Sequence, residues 1–403
     1  MKKRRMFFGI LTTVIIILTI AGCTIPQKSS DRGQGMPCNV QPGEWLPGRD
    51  ECPGTTSEMQ TKCNEFCESH PDCCGRKGGE QRGALISYPD EKEIALLTRN
   101  YPAVIKAINE GPAIYQRGQF KIISDETLDK MKDTGFNTIQ VLTIDDCTGD
   151  KCVMDESSKS LLLNDIVQAK KKGFAIWLAV EFINGPPGTA IKLPEYSKFK
   201  NSFVNFSREI GKLAEEYKVE YVTINNEPDL FLQEQTQWGS VEQINRYVAE
   251  IMPLVNSAAK ENFRGKMINK ITQTKKRPKE VLDASFKNVD IAGVDVGPPI
   301  IAGTGFMGVD AYTDEFNEYQ YYASLAQQIG VPWMVGEYWQ FNYFEDASDY
   351  AKQNQTEFAQ ISFDAYLKVT PKGAGYVWND FSSFSLPKGE ETRLALKDFF
   401  SKI

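Results

Sequence analysis

The chain predicts an α/β fold, a (β/α)8 TIM barrel preceded by a small Cys-rich disulfide module. Three observations carry that expectation. From about residue 84 onward, apolar β-type runs alternate with amphipathic segments, as parallel strands joined by helical crossovers do. The runs are continuously apolar, which suits strands buried on both faces. Two of them, Val222-Thr223-Ile224-Asn225-Asn226-Glu227-Pro228 and Trp333-Met334-Val335-Gly336-Glu337-Tyr338-Trp339, break off at a carboxylate. No Gly-rich phosphate loop follows the first strands, which argues against an open dinucleotide-binding sheet.

The N-terminus reads as an export signal over residues 1–22. Lys2, Lys3, Arg4 and Arg5 precede an apolar run from Met6 to Gly22. The run ends in Leu18-Thr19-Ile20-Ala21-Gly22-Cys23, which resembles the lipobox of exported lipoproteins and makes Cys23 the candidate lipidation site. An uncleaved membrane anchor is the alternative, at the short edge for a span. Either way the rest of the chain is expected on the extracellular face of the cell membrane. Residues 23–36, rich in Ser, Gly and charge, read as a flexible tether.

Residues 37–83 hold Cys38, Cys52, Cys63, Cys67, Cys73 and Cys74 among Pro, Gly and few aliphatic residues. In an exported chain this predicts a small module stapled by disulfides, whose pairing the sequence leaves open. The clustering of Cys63, Cys67, Cys73 and Cys74 around His70 keeps zinc as the competing reading. A spacer, a cap and a binding module are equally open for its role. Cys147 and Cys152 sit in one short polar loop, where a bridge would rigidify it. Asp145, Asp146 and Asp150 in the same stretch leave calcium as an alternative to a solvated loop.

Residues 84–403 form the expected barrel. Strand one is either Ala103–Ile108 or Ala84–Tyr88. Strands two and three are Thr138–Ile144 and Ala175–Phe182, separated by a helix over Leu161–Lys172 with a lysine-rich C-terminal end. The long amphipathic segment Tyr196–Tyr217 leads into strand four, Glu220–Asn225, which delivers Glu227. A helix over Ser240–Asn262 precedes strand five, Lys266–Ile271. A short helix, Lys279–Phe286, precedes strand six, Val289–Val296. Thr313 is the expected N-cap of a helix ending at Ile329. Strand seven, Pro332–Glu337, carries the second acid. A helix over Tyr350–Val369, strand eight at Gly375–Trp378 and a closing helix over Arg393–Ile403 complete the count.

Composition narrows the chemistry. With 403 residues, 41% hydrophobic and 25% charged, the chain affords a sizeable core. A net charge of −7 excludes a general nucleic-acid role, which needs a basic footprint. The single histidine, His70, lies outside the barrel region. That excludes a Ser-His-Asp triad, a Cys-His pair and a His-ligated zinc from the barrel. A carboxylate at the tip of a buried strand costs several kcal/mol to desolvate, so two such residues imply work for carboxylates. Strand C-terminal ends are where barrels of this type carry their chemistry.

Asn226-Glu227-Pro228 after strand four, Gly336-Glu337 after strand seven and Gly375-Tyr376-Val377-Trp378 on strand eight resemble clan A of the glycoside hydrolases. The resemblance spans roughly residues 100–403 in architecture but rests on about a dozen residues. It implies a retaining enzyme on β-linked extracellular glycans, with Glu227 as acid/base and Glu337 as nucleophile. It further implies that Asn226 bonds the sugar 2-hydroxyl and that Trp378 floors the reacting subsite. Trp339 and Trp238 are candidates for neighbouring subsites, and Tyr312 for the hydroxyl that follows strand six. No cofactor or metal is expected, the partner is an oligo- or polysaccharide, and a monomer is expected. Two departures stand out: Gln140 occupies the strand-two end where the clan places Arg, and the barrel lacks the His that several families carry. They keep open a silent barrel that binds glycan without cutting it.

Overall fold

The computed structural model describes residues 88–109, 123–154, 156–182, 192–224, 226–228, 232, 235–272, 277–297, 310–338, 354–379, 384 and 388–403. The export signal, Cys23, the tether, the Cys-rich module with its six cysteines, and Trp339 lie outside the described residues. Among the described residues no helix is long and apolar enough to cross a membrane.

Eight parallel strands close into a barrel: β1 (Ile105–Asn109), β2 (Thr138–Asp146), β3 (Ala175–Phe182), β4 (Tyr221–Thr223), β5 (Lys266–Ile271), β6 (Ile291–Val296), β7 (Trp333–Tyr338) and β8 (Gly375–Asn379). Each pairs with its sequence neighbour, and β1 closes the ring by pairing β2 on one side and β8 on the other. The ambiguity over strand one is thereby resolved in favour of the later segment. A two-residue antiparallel ribbon, Val153–Met154, folds back on Asp145–Asp146 at the end of β2. The Cys147–Cys152 disulfide closes the loop between them, as the sequence led us to expect.

Helix α1 (Glu91–Ala95) lies ahead of β1; the crossover helices are α2 (Asp125–Thr134), α3 (Glu156–Lys171), α4 (Tyr196–Glu216), α5 (Val241–Lys260), α6 (Lys279–Ser285), α7 (Ala311–Ile329) and α8 (Gln355–Lys368), and α9 (Gly389–Lys402) comes after β8. Ser124 caps α2 by accepting from the Thr127 N–H, and Ser240 caps α5 by accepting from Gln243. The expected Thr313 cap is corrected: α7 begins two residues earlier, at Ala311, with Asp310 at the cap position and no side-chain bond to the first turn. Gly135 and Gly330 end α2 and α7 at φ of 100° and 86°, the left-handed conformation in which a Cβ is strained.

Side chains divide into two layers. Ile105, Ala107, Ala175, Trp177, Tyr221, Ile268, Ile291, Met334 and Val377 fill the barrel interior. The alternate residues, among them Ile108, Ile176, Val222, Val335 and Trp378, face the helices in a larger outer core. Below β4, the carboxylate of Glu220 is fully buried. It accepts from Lys170 Nζ, from the Asn100 N–H and from the Ile176 N–H, each at 2.7 Å. That cluster ties α3, β3 and the segment before β1 together at the N-terminal end.

Candidate active site

The site gathers around a lysine that the sequence reading passed over. Lys270, on β5, has a fully buried side chain. Its Nζ lies 2.7 Å from Glu337 Oε2 on β7 and 3.3 Å from Asp295 Oδ2 on β6. It also stands 5.8 Å above the ring of Trp177, whose indole N–H donates to Thr223 Oγ1 at 2.8 Å. Burial works against the charge on Lys270. The carboxylates of Asp295, Glu337 and Glu227 outweigh it and hold the ammonium above its ordinary range.

Two glycines make room for this arrangement. A Cβ on Gly293 would lie 3.1 Å from Lys270 Cγ, and one on Gly336 would lie 2.6 Å from Asp295 Oδ1 and 3.0 Å from Lys270 Cδ. The aliphatic stem of Lys270 therefore crosses the bare backbones of β6 and β7 to bring its ammonium to the carboxylates.

Glu337 would point outward if β7 were regular, because Trp333 and Val335 belong to the outer core. The β6–β7 register shifts between Val294 and Asp295, so that Val294 faces Val335 but Asp295 faces Glu337. The extra residue turns Glu337 inward, as a bulge does. There Asn109 Nδ2, from β1, approaches Glu337 Oε2 at 3.5 Å and donates to Asn379 Oδ1 at 3.0 Å. Glu337 keeps only 8% of its surface in contact with solvent.

Glu227 follows β4 in a left-handed backbone conformation with φ of 50°, strained for a residue with a Cβ. The preceding Asn226 is buried, and its N–H donates to Val180 O of β3 at 3.0 Å. Sharing the field of Lys270, Glu227 and Glu337 belong to one electrostatic centre. The arrangement sets the Glu337 carboxylate against a fixed cation whose charge Glu227 also feels.

The tryptophan expectations need correction. Trp378 is fully buried and stacks on Tyr338 and Phe384, with Phe363 of α8 beside it. Val377 and Asn379 face the barrel, so alternation sends Trp378 to the helices, where no sugar reaches it. Trp238 packs edge-on against Tyr196 and Tyr247 and donates its indole N–H to Pro194 O at 2.8 Å. It clamps α4 to α5 and presents no platform to the cleft. Tyr312, in the first turn of α7, is 41% exposed and stacks beside Phe316. None of its contacts among the described residues reaches Glu337.

Lys270, Asp295, Asn109 and Asn379 are the residues the sequence reading missed. For Lys270 and Asp295 the sequence carried a signal: each is a charge within the apolar run of its strand, Met267-Ile268-Asn269-Lys270-Ile271 and Ile291-Ala292-Gly293-Val294-Asp295-Val296. The placement of Gln140 at the strand-two end is corrected: β2 runs on to Asp146, so Gln140 is its third residue; it is fully buried, and its amide makes no hydrogen bond among the described residues.

The closed barrel of eight parallel strands, with charged groups at the C-terminal ends of its strands, is a TIM barrel of the kind found in glycoside hydrolases. A GH113 β-1,4-mannanase is similar over 74% of this chain and 99% of its own, with a TM-score of 0.51 and 12% identity. Cel5A of Thermotoga maritima, solved with mannotriose, is similar over 73% of this chain and 97% of its own, at 0.52 and 13% identity. A GH5 xyloglucanase of Bacteroides ovatus is similar over 79% of this chain and 80% of its own, at 0.54 and 9% identity. At these identities the likeness establishes the fold. No protein-family profile and no curated protein sequence matches the chain.

Proposed function

We propose that the protein is a retaining glycoside hydrolase that cleaves β-linked extracellular glycans, with Glu337 as nucleophile and Glu227 as acid/base. The observation that carries this reading is the inward turn of Glu337 onto the buried Lys270, in whose field Glu227 also lies. A carboxylate ion-paired to a fixed cation is held in position for attack. In the first step a Glu337 oxygen bonds the anomeric carbon while Glu227 gives its proton to the departing glycosidic oxygen. In the second, water gives a proton to Glu227 and its oxygen to the sugar, which releases Glu337. Asn226, next to Glu227 in sequence, and Asn109, beside Glu337, would bond sugar hydroxyls. The similarity to a β-1,4-mannanase, to an enzyme solved with mannotriose and to a xyloglucanase makes β-1,4-mannan, mannotriose and xyloglucan the first glycans to try. Export and lipidation at Cys23 would hold the barrel outside the membrane.

A panel of β-linked glycans and aryl β-glycosides, run on wild type, Glu227→Gln and Glu337→Gln, tests the reading. Turnover by wild type that falls by about 10³-fold or more in both variants supports it. Turnover surviving in either variant removes that residue from its role. Binding of one glycan without turnover would favour the second reading, a silent glycan-binding barrel, for which the lack of an arginine on β2 is the specific observation.

A further inference from the structure

We propose that Lys270 is the positioning cation of the Glu337 carboxylate, and that Asp295 serves as the counter-ion that keeps Lys270 charged whatever the state of Glu337. The proposal deepens the glycosidase reading and rests on it for its catalytic meaning.

The argument begins with burial. An ammonium with no exposed side-chain surface costs many kcal/mol unless it is paired, and a lone pair is a fragile answer in an enzyme of this type. When Glu337 becomes an ester, its negative charge disappears. A lysine paired to Glu337 alone would then be a buried, uncompensated charge, and it would resist the very step it is meant to assist. Here Lys270 touches two carboxylates, at 2.7 Å and 3.3 Å, on adjacent strands. Asp295 has a fully buried side chain and keeps its place beside the ammonium when Glu337 is neutralised. Lys270 can thus hold the Glu337 carboxylate in place before attack and remain paired to Asp295 afterwards.

The local sequence is built for this route. Gly293 and Gly336 leave the backbone bare where the lysine stem crosses. The register shift that turns Glu337 inward also sets it directly opposite Asp295. Meanwhile β2 offers Gln140, an uncharged amide, so among the described residues the cation facing Glu337 comes from β5.

The test uses Lys270→Met, Lys270→Arg and Asp295→Asn in the full chain, each checked for folding by near-UV circular dichroism and thermal melting. Lys270→Met is expected to lower kcat by about 10²-fold with KM little changed, as loss of a preorganised charge does. It should also move the acid limb of the kcat/KM profile to higher pH, because a buried carboxylate loses the cation beside it. Lys270→Arg, which keeps the charge, should retain the acid limb. A folded Lys270→Met whose acid limb stays in place would overturn the proposal, since a merely structural lysine lowers stability without moving that limb.

A readout independent of turnover separates this inference from the glycosidase reading. With 13C-carboxyl glutamate, and the Glu337 signal assigned through Glu337→Gln, the titration midpoint should move to higher pH in Lys270→Met. If wild type cleaves no glycan but the midpoint moves, the hydrolase reading falls and the role of Lys270 stands. If the midpoint does not move, the role of Lys270 falls. Should Lys270→Met fail to fold, Asp295→Asn decides: removing the second carboxylate leaves Lys270 to Glu337 alone and should move the midpoint to lower pH, and an unmoved midpoint refutes the pairing.

Discussion

Asp295 and Glu337 stand directly opposite each other on β6 and β7, one residue out of step with the pairing of Val294 and Val335. That slip is the structural origin of the site. Without it, Gly336 would oppose Asp295 and the glutamate would lie among the outer-core residues under the helices. Four polar side chains from separate strands, Asn109, Lys270, Asp295 and Glu337, converge because a single extra residue reverses the facing of one of them.

Gly336 should therefore tolerate no side chain. Its Cβ would meet the buried Asp295 carboxylate at 2.6 Å and the Lys270 stem at 3.0 Å. Gly336→Ala is expected to cost about 1–3 kcal/mol of stability by overpacking. It should lower turnover by about 10²-fold through displaced carboxylates. Gly149→Ala, where a Cβ meets nothing within 4 Å, is the control expected to change neither. Thermal melts and initial rates on both variants decide it.

Asp165, on α3, offers a pH-dependent stability with a definite sign. Burial raises its carboxyl to about 7, opposed by the hydrogen bond it accepts from the Ile123 N–H at 2.9 Å. In the unfolded chain an Asp titrates near about 3.9. The folded state thus holds the proton more tightly, and the stability this contributes is full below about pH 4 and lost as pH rises through about 7. Asp165→Asn keeps an acceptor for Ile123 without the charge. Melting temperatures measured from pH 4 to 8 should show wild type falling relative to the variant across that window and level above it.

Trp378 and Trp238 are expected to matter for stability and not for substrate. Trp378→Ala should cost about 3–5 kcal/mol, as removal of a buried indole from a filled core does. For the folded fraction, KM should be unchanged. A large rise in KM in an otherwise stable variant would return Trp378 to the cleft.

At the other end of the barrel, Glu220→Gln removes the charge opposite the buried Lys170. Burial lowers the lysine's pKa while Glu220 opposes that, so the variant leaves a desolvated ammonium without its partner. The expected cost is about 3–5 kcal/mol. Denaturant midpoints should report it, with kcat intact at temperatures where the variant is folded.

The barrel and its order of strands were legible because buried strands write themselves as apolar runs, and a carboxylate at the end of such a run is conspicuous. Strand one was ambiguous because two short runs, at Ala84–Tyr88 and Ala103–Ile108, offered the same pattern. What sequence position does not convey is facing. Trp378 sits next to a strand end, yet its neighbours Val377 and Asn379 take the inward positions. Glu337 faces inward only through a register shift, which no hydrophobic pattern announces. Lys270 was overlooked because a lone lysine in an apolar strand has meaning only once the strands beside it are known. Asp295 and Glu337 lie on β6 and β7, well along the chain from it.

The brevity of β4 has a consequence for how the molecule comes apart. Three residues hold it, and it meets β5 at two register positions, Tyr221 with Lys266 and Val222 with Met267, whereas β2 and β3 pair over eight. Heat or denaturant will find a seam there, as at the β7–β8 pairing, which also keeps two register positions, and amide protons along β4 and the start of β5 will exchange ahead of those on β2 and β3. Glu227 follows β4 on the loose side of that seam, while Glu337 is held to Lys270 of β5. Partial opening would carry the general acid away while the nucleophile stays on its lysine, so the protein would fall silent well before it unfolds.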